Sequence, residues 1–98
     1  MSDPLDRLMV AILAHVDLLP LEAGILASAH LGLAGNSRDF AKQAGIAHAL
    51  VIRACVELGE VRNLLILERH VDQSQRVFFN LTQDGQTMID AVLDAQEG

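Results

Sequence analysis

Ninety-eight residues allow one domain with a modest core. Hydrophobic residues make up 51% of the chain and aromatic residues 3%, so that core must be aliphatic and some apolar surface is expected to stay outside, as in a homodimer. The single cysteine, Cys55, excludes an internal disulfide and fits a reducing cytosol, and a net charge of −6, taken alone, argues against a nucleic-acid partner, since phosphate binding needs a positive footprint.

No apolar run approaches the ~20 residues needed to span a bilayer. The start, Met1-Ser2-Asp3-Pro4, lacks the basic region of a signal peptide. A cytoplasmic protein with no membrane partner is expected. Charge is unevenly spread. Residues 36–80 hold Arg38, Lys42, Arg53, Arg62, Arg69 and Arg76, six of the seven basic residues, against Asp39, Glu57, Glu60, Glu68 and Asp72. The acidity lies in the flanking segments, so one weakly positive side is compatible with the acidic total.

In chain order, Asp3 is a good N-cap, Pro4 suits the first helical position and Asp6 favours the first turn. Leu5, Leu8, Met9, Ile12, Leu13 and Val16 follow at helical period and predict a helix over residues 4–18 with a wide aliphatic stripe. That stripe is core or a dimer interface. Pro20 opens a second helix over 21–31, with Leu21, Ile25 and Ala29 on one side, a flat face of Ala23, Gly24, Ala27 and Ser28, and Gly32 or Gly35 at its end. Residues 1–35 therefore form an N-terminal helical unit.

Asn36 caps a short third helix over 37–44, and Asp39 completes a capping-box arrangement. Phe40, Ala41 and Ala44 supply its apolar face. Gly45 reverses the chain with φ > 0, and Ile46 plugs the corner. A fourth helix over 47–62 buries Val51, Ala54, Cys55 and Leu58. Gly59 sits inside it at some cost, and Asn63 is the stop. Residues 36–62 thus have the shape of a helix-turn-helix.

Two β-rich runs, 64–71 and 76–81, flank the polar stretch Asp72-Gln73-Ser74-Gln75 and predict a hairpin within residues 63–81. Val77, Phe79 and Leu81 share one face, Arg76, Phe78 and Asn80 the other. Thr82 caps a last helix over 83–95, within a C-terminal unit of residues 82–95, striped by Gly85, Met88, Ile89, Val92 and Leu93.

The whole is mainly α with a β-hairpin, in the order of a winged helix-turn-helix. Phe40-Ala41-x-x-Ala44-Gly45-Ile46 resembles the L-A-x-x-L-G-I of such domains, and Leu81-Thr82-Gln83-Asp84-Gly85 looks like the L-T-x-x-G that opens the last helix of MarR-like regulators. Asp72 and Arg76 sit near that family's wing-tip D-x-R, with the spacing from Arg76 to Leu81 about one residue short. The resemblance covers roughly residues 36–93. It implies a dimeric transcriptional regulator that binds duplex DNA, is sometimes released by a small ligand, and dimerises through the first helix.

If the chain binds DNA, the fourth helix enters the major groove. Its outward residues are expected to be Ala47, His48, Ala49, Ile52 and Arg53, of which only His48 and Arg53 can hydrogen-bond to bases or phosphates. Arg69, His70, Gln73, Gln75 and Arg76 of the wing follow the backbone or minor groove, and Arg38 and Lys42 hold phosphates at the motif's entrance. Arg53 has a second reading, paired with Glu57 four residues on. The alternative is a winged helix that contacts protein and not DNA, favoured by the apolar outward face around Ile52 and by the acidic total. An enzyme is disfavoured: His15, His30, His48 and His70 lack H-x-x-x-H spacing, and there is no P-loop, dinucleotide fingerprint or nucleophile elbow. No cofactor or metal is implied.

Overall fold

A computed structural model describes residues 3–69 and 75–97 of the chain. Helix α1 spans Pro4–His15 and opens as its sequence dictates, with Asp3 Oδ1 accepting from the Asp6 amide at 2.8 Å. It ends three residues before the expected position 18. Val16 takes extended backbone, φ −131° and ψ 138°, and Leu19 before Pro20 is extended as well. Leu18 is buried although it lies outside the helix.

Helix α2, Pro20–Leu31, is the centre of the molecule. Every residue from Glu22 through Ser28 is buried, so the one-sided stripe expected from Leu21, Ile25 and Ala29 understates its burial. Its small residues are what permit this: a Cβ on Gly24 would lie 3.3 Å from the Phe40 ring and 3.4 Å from the Met9 methyl. The buried Glu22 carboxylate accepts from the Leu19 amide at 2.9 Å. Gly32, at φ 71°, ends the helix.

Helix α3 covers Ser37–Ala44, the predicted bounds. Asn36 Oδ1 accepts from the Asp39 amide at 2.9 Å, a cap worth about 1 kcal/mol. Asn36 Nδ2 donates to Asp39 Oδ2 at 3.0 Å. Phe40 and Ala41 are buried, but Ala44 is exposed, because the chain already turns away at Gly45, φ 69°.

Helix α4, His48–Val56, buries Val51, Ala54 and Cys55. The chain then widens into a π-helical turn, Glu57–Val61, where a regular helix to 62 was expected. Gly59 sits in that turn directly under the hairpin; a Cβ there would come within 2.6 Å of Leu67 Cγ. Asn63, φ 56°, stops the helix in the left-handed conformation.

Strands β1, Leu65–Arg69, and β2, Val77–Leu81, pair antiparallel from Leu65 opposite Leu81 to Arg69 opposite Val77. Val77 and Phe79 are buried and Asn80 is exposed, as alternation predicts. Of the expected tip, Asp72, Gln73 and Ser74 lie outside the described residues, as do His70 and Val71 of the first run, whereas Gln75 is described. The segment before α3 joins the hairpin, which sequence reading did not foresee: Asn36 bridges Phe78, and the Phe79 amide donates to the Gly35 carbonyl at 3.0 Å.

Helix α5, Gln83–Glu97, runs past the expected residue 95 and packs on α1 and α2. Its start locks the base of the wing. Thr82 Oγ1 accepts from the Gly85 amide at 2.9 Å and donates to the Asn63 carbonyl at 2.7 Å. A Cβ at Gly85 would collide with the Leu64 carbonyl, so the L-T-x-x-G stretch is a packing requirement.

Candidate nucleic-acid interface

The N-terminal ends of α3 and α4 meet the start of β2 at one point. Ser37, the first residue of α3, is fully buried. Its Oγ accepts from the Val77 amide at 2.9 Å and lies 2.8 Å from His48 Nε2. One hydroxyl thus ties both helices of the motif to the wing. A cleft of about 330 Å³ opens beside it, lined by Arg38, Asp39, Lys42, Ile46, His48 and Arg76. Three cations and a histidine converge there against one carboxylate. Burial, then the charges of Arg38 and Arg76, hold the His48 pKa below the ordinary histidine value.

The other predicted contacts are elsewhere. Arg53 lies along a second groove, of about 450 Å³, on the far side of α4, with Leu19, Leu21, Leu50, Glu57 and Arg62. Glu57 meets Arg62 at 3.8 Å instead of the expected Arg53. Ile52 is half-buried. Arg69 ends β1 on the face shared with Leu65 and Leu67, and its charge reaches Cys55. Burial pushes the Cys55 thiol up to about 12, so it behaves as a core residue. Gln75 is exposed at φ 53°, and Gln73 lies outside the described residues. So Arg38, Lys42, His48 and Arg76 form one cleft, whereas His48 and Arg53 sit on different sides of α4.

Two residues escaped sequence reading. Ser37 stands in the sequence only as the first residue of the third helix, and its partner at Val77 lies 40 positions away. Leu50 is 49% exposed and belongs to neither the buried stripe nor the expected outward set of the fourth helix. Its offset from the Val51, Ala54 and Leu58 stripe was the available signal.

A third cavity, about 320 Å³ and largely apolar, lies between α1, α2 and α3, lined by residues including Leu5, Met9, Gly24, Phe40 and Ile46. Among the described residues no three histidine, cysteine or acidic side chains group as metal ligands, and no helix is long and apolar enough to cross a membrane.

No family model matches the sequence, and no curated protein matches it. Solved structures do match. The chain has the winged-helix fold of MarR-family transcriptional regulators. Transcriptional regulator Tm0710 from Thermotoga maritima superimposes with a TM-score of 0.72 at 16% identity over 95% of this chain. YusO from Bacillus subtilis gives 0.70 at 17% identity, also over 95%. A MarR-family transcriptional regulator from Rhodococcus sp. RHA1 gives 0.65 at 22% identity over 96% of this chain and 67% of its own. The chain spans 65% of the length of Tm0710 and of YusO.

Proposed function

We propose that the protein is a DNA-binding transcriptional regulator of the MarR type, acting in the cytoplasm on duplex DNA. The observation that carries this reading is the cleft where Arg38, Lys42, His48 and Arg76 converge at the junction of α3, α4 and the wing. Lys and Arg at such a junction neutralise phosphates and fix the protein's register on the duplex. Arg69 and Gln75 on the wing are auxiliary contacts, whereas Arg53 lies in the other groove. The outward surface of α4 is rich in Ala49, Ile52 and Val56 and offers few hydrogen bonds to base edges, so affinity comes mainly from phosphates.

The same reading includes a homodimer through the N-terminal helix. Val10, 67% exposed, and Leu13 on α1 and Leu93 on the neighbouring α5 leave apolar surface for a second copy. The apolar cavity beside α3 is the place for a small effector.

Fluorescence anisotropy with a random-sequence duplex at low salt tests the proposal. Saturable binding that weakens as salt is added is expected; no binding at low salt would contradict it. A second reading, a winged helix that docks on protein, is supported by the groove bearing exposed Leu19 and Leu50 beside Arg53. It predicts that changing Leu50 disrupts function while DNA is not bound.

A further inference from the structure

We propose that the cleft takes up a proton at His48 when a DNA phosphate enters it. This rests on the DNA-binding reading above and adds a proton to it.

The argument is one of hydrogen-bond capacity. Ser37 Oγ already accepts from the Val77 amide at 2.9 Å, which leaves its hydroxyl proton for His48 Nε2 at 2.8 Å. In that arrangement the imidazole is neutral, accepts at Nε2 and carries its proton on Nδ1. An imidazolium donates from both nitrogens. Its Nε2–H would then face an oxygen whose own proton must turn elsewhere within a fully buried site. This geometry favours the neutral ring in the free protein.

Charge acts in the same sense. Among the described residues lining the cleft, α3 presents Arg38, Asp39 and Lys42, and the start of β2 presents Arg76. Asp39 is already engaged by the Asn36 side-chain amide at 3.0 Å. Cations outnumber the carboxylate, and the lowered His48 pKa agrees with this balance. A phosphodiester in the cleft reverses the second effect, and the bond it accepts from Nδ1–H strengthens when the ring is charged. It offsets the repulsion from the cations, so the charged ring gains more from the phosphate than the neutral ring does, and Ser37 turns its hydroxyl proton away from Nε2. One proton moves from solvent to His48, and no other bond is made or broken. The bound form then has the higher His48 pKa, so affinity must rise as pH falls between the bound and free values.

The test is binding of a random-sequence duplex at fixed ionic strength, from about pH 8 to about pH 6, by wild type, His48→Gln and His70→Gln. Glutamine at 48 can still accept from Ser37 but cannot titrate. Wild-type affinity is expected to rise several-fold as pH falls across the range, as linkage to one proton requires. His48→Gln is expected to lose that rise, and His70→Gln to keep it. A flat wild type, equal slopes in wild type and His48→Gln, or a slope lost only in His70→Gln would overturn the inference and leave DNA binding standing. No binding at any pH would overturn both. Proton NMR of the wild-type His48 ring, with and without duplex, gives a reading independent of the variants. An upward pKa shift on binding is expected, and no shift overturns the proposal.

Discussion

The two sides of helix α4 make opposite use of the same nine residues. On one side His48 is tied through Ser37 to Val77, and Arg38, Lys42 and Arg76 gather around it. On the other, Leu50 and Arg53 line an open groove whose ion pair, Glu57 with Arg62, is long at 3.8 Å and well exposed. The first side is held by one buried and one half-buried hydrogen bond that fix it to the wing. The second is apolar surface with charges at its rim, where such a pair contributes roughly 0–1 kcal/mol. A duplex needs cations at fixed positions; a protein partner needs apolar area. One short helix offers both, and the fixed side is the one that suits phosphate.

The change with the largest expected effect removes the support common to both sides. Gly85→Ala drives a methyl group into the Leu64 carbonyl at the base of the wing. We expect a loss of about 3 kcal/mol in chemical denaturation. A loss below about 0.5 kcal/mol would mean that the wing base gives way easily. Ser37→Ala separates the sides. It leaves the Val77 amide without its buried acceptor, at about 1–3 kcal/mol, and frees the wing from α4, so DNA binding should weaken. If binding is unchanged, the hydroxyl does not organise the cleft.

Acid gives a smaller effect. The folded His48 pKa is lowered, so below its ordinary value of about 6.5 the unfolded chain binds the extra proton first. The His48 contribution is complete above that value and is lost as pH falls through it toward the lowered folded pKa. Denaturation midpoints of wild type should therefore fall more than those of His48→Gln across this window. Smallest of all should be Leu50→Gln, at a residue 49% exposed: a stability change within about 0.5 kcal/mol and no change in DNA affinity. Reduced DNA affinity in this variant would show that the groove side takes part after all.

What was legible in the sequence was local. Asp3, Asn36, Gly45, Asn63 and Thr82 announced caps and turns through their own conformational preferences, and all five serve as read. The winged order followed from periodicity and turn chemistry, and the matched folds agree with it. What was not legible depended on distant partners. The early end of α1 answers to Val16 and the Pro20 turn together, and the π-helical turn accommodates Gly59 beneath Leu67. The link from Ser37 to Val77 needs the fold before it has meaning. At the site, Arg38 and Lys42 share one helix and could be grouped from sequence. That Arg76 and His48 would join them, and Arg53 would not, depended on how α4 is rotated against the wing.

The central claim is that the cleft holds DNA phosphate. Its most direct test is the salt dependence of duplex binding by wild type and Arg76→Ala, with melting temperatures measured alongside. The wild-type log affinity should fall linearly with log salt, and the variant's slope should be shallower by about one with little change in melting temperature. Equal slopes in the two proteins, or no binding at low salt, would contradict it.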